Sequence, residues 1–114
     1  MAISSFYGKI SKVNINGVTV YPGTQKITLD VGKQLTIYFE YEAQGYGAGV
    51  LDWWTAGVTA KLGTQFGWNP TVHRGGDLKM GTPEIGNIKV PSGGGTLALK
   101  LYAIDATNPS APPG

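Results

Sequence analysis

Cysteine is absent from the 114-residue chain, and its absence excludes disulfide frameworks, thiolate metal sites and cysteine nucleophiles. Histidine occurs once, at His73, beside Arg74 and two glycines. A metal site needs several nitrogen, oxygen or sulfur ligands, so no metal is predicted, and we interpret His73 as a surface residue in a loop. The sequence has no nucleophile elbow, Walker loop or dinucleotide fingerprint. We therefore expect a protein that is not an enzyme and has no cofactor.

Charged residues are also few, at 14% of the chain, against about 25% in typical domains. Nine Lys and Arg residues against seven Asp and Glu residues give a formal charge of +2. The basic residues are scattered, so no nucleic-acid partner is predicted. No apolar stretch approaches the roughly 18 residues of a membrane helix, so no membrane insertion is predicted. The N-terminus MAISSFYGKI lacks the basic head and apolar run of a Sec signal, which favours synthesis and assembly in the cytoplasm.

Glycine, by contrast, is abundant, with 18 residues spread along the chain without a period. This distribution is typical of short strands joined by tight turns. The clearest turn is Asn16-Gly17, because these residue types accept the positive φ angles of a type I′ hairpin turn. The turn predicts that Ile15 pairs with Val18 and that Val13 pairs with Val20, with all four side chains on one face.

Alternating apolar and polar side chains mark two longer strands. Residues 34–43 alternate strictly, as expected for an antiparallel strand with one buried face. Residues 52–62 alternate again, so Trp54 is predicted to be buried and Trp53 to be more exposed. Weaker patterns predict three further strands, at residues 26–31, 85–90 and 96–104.

Glycine, asparagine and proline mark the predicted loops. Residues 44–49 are expected to form a flexible loop, residues 63–82 a long loop with one short strand around 71–74, and residues 91–95 a turn. About seven strands with regular turn signals are typical of an antiparallel β-sandwich. The expected parts of this all-β chain are an N-terminal arm (1–6), a sandwich domain (7–105) and a proline-rich C-terminal tail (106–114).

Three runs of sequence carry a family resemblance. VGKQLTIYFEYEAQG and WWTAGVTAK resemble strands B and C of bacterial, archaeal and viral immunoglobulin-like modules, and PSGGGTLALKLYAID resembles their final hairpin. The resemblance implies an immunoglobulin-like antiparallel β-sandwich of about seven strands, with extended N- and C-terminal arms. It also implies that Trp54 takes the place of the buried tryptophan of strand C. The chain has no cysteine pair and no obvious tyrosine corner, so the resemblance concerns fold and says little about function.

Aromatic residues are the candidate contact sites. Five of them fall on predicted outward faces or in loops: Tyr38, Tyr46, Trp53, Phe66 and Trp68. Three interpretations stay open. The aromatic residues form a platform on which a sugar stacks, they contact other subunits, or they fold back over the ends of the sandwich as a small extension of its core.

Glu40 and Glu42 lie two residues apart on one predicted strand. We interpret them as part of a solvated face and not as a catalytic pair.

These features favour a non-enzymatic structural protein that assembles with copies of itself and with other structural subunits. The low charge content suits a surface that packs against copies of itself. We expect a component of a virion capsid, a tail or a surface filament, located in a virion or an extracellular assembly. Residues 2–7 and 107–114 would be arms that reach neighbours, and open sheet edges would add strands.

The alternative hypothesis is a carbohydrate-binding or adhesive module. In that case Trp53, Trp68 and Tyr46 would stack on sugar rings. Asp52 and Asn69 would supply the polar contacts.

Overall fold

Eight β-strands and no helix make up the described part of the chain. The computed structural model describes residues 3–21 and 28–112. In chain order the strands are β1 (Ser5–Ile15), β2 (Val18–Val20), β3 (Gln34–Tyr46), β4 (Trp53–Leu62), β5 (Gln65–Arg74), β6 (Lys79–Gly81), β7 (Glu84–Lys89) and β8 (Ala98–Ile104). The protein is therefore all-β, as predicted, and the described residues contain no helix long and apolar enough to cross a membrane.

The strands form two antiparallel sheets. The five-stranded sheet has the order β2-β1-β3-β6, and β7 also pairs with β3. The three-stranded sheet has the order β5-β4-β8. Each sheet turns one face to a shared core, which is the way antiparallel sheets bury their apolar sides. The buried core residues are Val13, Ile15, Leu35, Ile37, Phe39, Tyr41, Ala43, Trp54, Ala56, Val58, Ala60, Leu62, Ile85, Ile88 and Val90.

The hairpin predicted at Asn16-Gly17 is confirmed. Asn16 has a φ of 50° and Gly17 a φ of 89°, the left-handed conformations that a type I′ turn requires. The register pairs Ile15 with Val18 and Val13 with Val20. Three of these four apolar side chains reach the core, while Val18 beside the turn stays 62% exposed.

The alternation predicted for residues 34–43 is confirmed in β3. Its five apolar core-facing residues are all buried: Leu35, Ile37, Phe39, Tyr41 and Ala43. β3 continues to Tyr46, so the loop predicted at residues 44–49 is wrong over its first three positions. The continuation is held by β1, because residues 5–7 pair with the end of β3. These residues, expected to belong to an arm, lie within the chain's own sheet.

The alternation predicted for β4 is confirmed as well. Trp54 is completely buried in the core, and Trp53 is 47% exposed on the opposite face. Thr55 and Thr59 share the face of Trp53 and are buried nevertheless. Other residues of the chain must therefore cover Thr55 and Thr59 on the outer face of the three-stranded sheet.

The long loop predicted at residues 63–82 is wrong, because most of it forms β5 and β6. The short strand predicted around residues 71–74 is the end of β5. Gly63, with a φ of 62°, lies in a tight turn, after which all ten residues of β5 pair with β4. The strand lacks the usual signal because the side chains that it turns to the core are small or polar. By their register with β4 these are Gln65, Gly67, Asn69, Thr71 and His73.

The strand predicted at residues 26–31 is also wrong where it can be compared. Residues 26 and 27 lie outside the described residues, and residues 28–31 belong to no strand. A turn takes their place, in which Lys33 N donates to Asp30 O at 3.1 Å and Gly32 has a φ of 80°. The two last predicted strands are confirmed as β7 and β8, so the described chain contains eight strands where about seven were expected.

Side-chain amides join β5 to β7 along one side of the molecule, although the two strands belong to different sheets. Gln65 accepts from Lys89 N at 2.5 Å and donates to Lys89 O at 2.6 Å. Asn69 donates to Glu84 O at 2.8 Å. From β7, the Asn87 amide donates to the main chain of β5 at 3.1 Å. Two polar side chains on the inner side of β5, Gln65 and Asn69, are therefore hydrogen-bonded to the main chain of β7.

Replacement of Gly67 by Ala is expected to destabilise this junction. A β-carbon at Gly67 would overlap the buried side chain of Ile85 and lie 2.7 Å from Asn87 Oδ1. Overpacking of this kind costs about 1–3 kcal/mol of unfolding free energy, which chemical denaturation would measure. Gly86→Ala is the matched control, because its β-carbon meets open space; it should change stability by less than about 0.5 kcal/mol. Equal stability of the two variants would contradict this packing.

Candidate functional site

The five candidate aromatic residues lie on two different faces of the molecule. Cross-strand neighbours share a face of a sheet, and the register of β4 with β5 places Trp53, Phe66 and Trp68 opposite the core. These three residues therefore project from the outer face of the three-stranded sheet. Tyr38 and Tyr46 alternate with the core residues of β3, so they project from the outer face of the five-stranded sheet.

Four side chains form a continuous apolar row on the outer face of β5, which we name the β5 row: Phe66, Trp68, Pro70 and Val72. Phe66 is 45% exposed and Val72 is 39% exposed. Trp53 on β4 lies near the Val72 end of the row, and the guanidinium of Arg74 lies 5.1 Å from the centre of its ring. A half-buried strand usually turns its apolar side to the core, whereas β5 turns its apolar side to solvent.

Trp68 is the member of the row that the protein itself holds. Its ring lies over Gly57 of β4, where no larger residue would fit. It also meets Tyr102 of β8 edge-on, with ring centroids 6.3 Å apart, and its indole N–H donates to Pro109 O at 3.4 Å. The ring of Trp68 is therefore largely occupied by contacts within the chain.

The C-terminal tail accounts for part of this cover. Thr55 Oγ1 donates to Ala106 O at 2.6 Å, and three residues later Pro109 O accepts from Trp68. These two hydrogen bonds hold the start of the tail against the outer face of the three-stranded sheet. The expected C-terminal arm thus begins along the chain's own surface and leaves Phe66, Val72 and Trp53 exposed.

Tyr38 and Tyr46 lie apart from the β5 row. Tyr38 Oη donates to Glu40 Oε2 at 3.0 Å on the outer face of β3. Tyr46, at the end of β3, lines an open depression of about 360 Å³ whose other lining residues include Arg74 and Asp77. The depression lies at one end of the sheets, between the β3–β4 and β5–β6 connections.

The polar residues expected to contact a sugar have structural partners. Asp52 Oδ2 accepts from Gly49 N at 2.7 Å and so closes the β3–β4 loop. The amide of Asn69 donates to Glu84 O on the inner side of β5. Of the two tryptophans expected to stack on a sugar, Trp53 keeps the more exposed ring.

The single histidine faces the core from β5, so its expected position in a surface loop is wrong. His73 Nε2 is hydrogen-bonded to Tyr41 Oη at 2.7 Å across the two sheets, and its ring centre lies 5.3 Å from that of Trp54. Burial lowers the pKa of His73, and the positive charge of Lys79 acts in the same direction. Burial also raises the pKa of Tyr41. At neutral pH the Tyr41 hydroxyl is therefore hydrogen-bonded to a neutral imidazole.

Stability is expected to fall when the pH drops through the titration of His73. Because its pKa in the folded protein lies below the ordinary value of about 6.5, the unfolded chain binds a proton that the folded chain does not. The contribution of His73 to stability is complete above a pH of about 6.5 and is lost as the pH falls toward the folded-state pKa. Urea unfolding midpoints at several pH values would record this loss.

His73→Gln provides the control for this pH dependence. Glutamine keeps an acceptor for Tyr41 but does not titrate, and the chain has no other histidine. The variant should show a flatter profile of stability against pH than the wild-type protein below neutral pH. Identical profiles for the two proteins would contradict a depressed pKa at His73.

Removal of residues 107–114 is expected to expose Trp68 without unfolding the protein. The truncation removes Pro109, the acceptor of the indole N–H, but keeps Ala106, the acceptor of Thr55. Quenching of tryptophan fluorescence by acrylamide should increase, while the circular dichroism of the sheets stays the same. In a Trp68→Phe background the same truncation should leave quenching unchanged. Unchanged quenching in the truncated wild-type protein would argue against this contact.

No protein-family model, curated protein or solved structure matches the chain. Within residues 3–21 and 28–112, no group of three or more histidine or acidic side chains could hold a metal ion. The candidate site is the β5 row, with Trp53 beside it.

Proposed function

We propose that the chain is a non-enzymatic structural subunit that assembles with copies of itself and with other structural subunits. One observation carries the proposal: β5 turns its apolar side to solvent and its polar side to the core. The inner polar side chains bind β7, so the arrangement leaves the core intact. Exposed apolar surfaces mark contacts with a partner protein, a membrane or a ligand, and we assign this one to a neighbouring subunit.

Burial of this surface would supply association energy. Complete burial of a Phe or Val side chain is worth about 1.5–3 kcal/mol. Phe66, Val72 and Trp53 are each between 39% and 47% exposed. Covering them together is worth on the order of 3 kcal/mol, and aromatic residues are the side chains that most often dominate such contacts.

The proposed class is a component of a virion capsid, a tail or a surface filament, built on an immunoglobulin-like sandwich. Four strand pairs support this fold. β3 pairs with β1 and β7, and β4 pairs with β5 and β8. β4 also carries the buried Trp54. In immunoglobulin terms β1, β3 and β7 correspond to strands A, B and E, and β4 and β8 to strands C and F. In this correspondence no described strand takes the position of strand G, beside strand F.

A carbohydrate-binding or adhesive module is the second candidate, and Trp53 favours it. Its ring is 47% exposed beside the guanidinium of Arg74, a pair that could stack on a sugar and donate to its hydroxyls. Assembly is the better supported function, because Trp68 packs on Gly57 and Tyr46 lies on the other sheet. Glycan binding by a strictly monomeric protein, lost on Trp53→Ala, would reverse this preference.

Lysine in place of Phe66 is expected to weaken self-association about tenfold or more, because it removes apolar area and puts a charge into the contact. Sedimentation velocity and light scattering would measure the change. Met80→Lys is the matched control, since Met80 is exposed on the outer face of the other sheet; it should leave association unchanged. A wild-type protein that stays monomeric at about 1 mM would refute the proposal.

A further inference from the structure

Two strand edges on the same side of the molecule have no main-chain partner among the described residues. β8 pairs only with β4, and residues 5–12 of β1 pair only with β3. The two edges lie across the core from each other, because the ring of Phe6 and the side chain of Leu101 both approach Gly8. The opposite side of the molecule differs, since amide side chains bridge β5 and β7 there.

Apolar side chains along the open side are incompletely covered. Leu99, Leu101 and Ala103 face the core from β8, yet they are only half-buried. Phe6 and Ile10 of β1 are half-buried in the same way. The core-facing apolar residues of the central strands β3 and β4 are buried. The core is therefore open along β1 and β8.

Among the edge strands of the described chain, β8 has few of the features that keep sheet edges from pairing. Short edges, prolines, bulges and lysines are the usual protections. β2 and β6 have three residues each, β5 carries Pro70, and β1 has a bulge after Ile10 with Lys9 and Lys12 on either side of it. β8 offers seven residues with no proline, no bulge and a single charge, that of Lys100.

We propose that β8 pairs antiparallel with β8 of a second copy, so that two three-stranded sheets join into one of six strands. The proposal rests on the proposed self-assembly and names one of its contacts. A symmetric register centred on Leu101 pairs all seven residues of the strand. Leu99 then lies opposite Ala103 of the second copy and Lys100 opposite Tyr102, so no lysine faces itself. Two-fold symmetry is also the commonest arrangement of homodimers.

The symmetry explains why a second copy fits this edge better than a short peptide. Because β1 lies across the core from β8, the same two-fold axis brings the open sides of both β1 strands together. Phe6 and Ile10 of each copy would then be covered by the other copy. A peptide that added to β8 alone would leave these two side chains as they are.

Disulfide trapping tests the register. Because the chain has no native cysteine, only the introduced cysteines can form a disulfide. Ala98 and Ile104 lie opposite each other in the proposed pair. A mixture of Ala98→Cys and Ile104→Cys variants should therefore form a cross-linked heterodimer on mild oxidation, because opposed Cα atoms are about 5.5 Å apart or closer. Each variant alone should not cross-link, because its cysteines would be about 20 Å apart. Cross-linking of Ala98→Cys with itself would indicate parallel pairing and overturn the proposal.

Leu101→Lys provides a second test, because an inward-pointing charge at the centre of an edge strand opposes pairing. In the cysteine variants it should reduce cross-linking tenfold or more, whereas Met80→Lys should not. If Leu101→Lys fails to fold, the cross-linking of the two cysteine variants decides alone. If the wild-type protein self-associates but the two cysteine variants do not cross-link with each other, the β8 pairing is overturned and the assembly proposal stands. A strictly monomeric wild-type protein overturns both.

Discussion

The outward orientation of the β5 row depends on the amide side chains of Gln65 and Asn69. Both lie on the inner side of β5, where they are partly exposed, and both bind the main chain of β7. In the described residues no buried side-chain nitrogen or oxygen lacks a hydrogen bond. Because these bonds satisfy the inner side of β5, the strand can present its apolar side to solvent while the two sheets stay joined along that edge.

The same bonds give the molecule two unlike sides. Along β5 and β7 the sheets are joined by side chains, and Gly67 lets the two strands approach closely. Along β1 and β8 no described side chain bridges the sheets in this way, and residues such as Leu101 stay half-buried. The apolar side chains along β1 and β8 are less completely covered than those of the central strands. The addition of a strand on this side therefore buries more apolar area than the addition of a strand beside β5 and β7.

The sequence predicts the central strands β3 and β4 because their core-facing residues are apolar and alternate with outward-facing ones. β3 alternates between a buried face and a solvated face, and Asn16-Gly17 specifies the turn between β1 and β2 locally, so the strand and the turn were both correctly predicted. β4 also predicts which of its two tryptophans is buried. Only residues 71–74 of β5 were predicted as a strand. Residues 65–70 were predicted as a loop because the apolar side chains of β5 face solvent and not the core. The cover over Trp68 escaped as well, since Gly57 and Pro109 are distant in the sequence and only the fold brings them together.

A symmetric β8 pair closes on itself, so it limits assembly to a dimer unless a second surface exists. β5 lies at the far edge of the same sheet from β8. A two-fold axis perpendicular to the sheet preserves its faces, so in the proposed dimer both β5 rows would project from the same side, at opposite edges of six strands. Each dimer could then bind two neighbours through equivalent rows. Two different two-fold contacts, one through β8 and one through the β5 rows, are together sufficient to extend a filament or a shell, whereas either two-fold contact alone stops at a dimer.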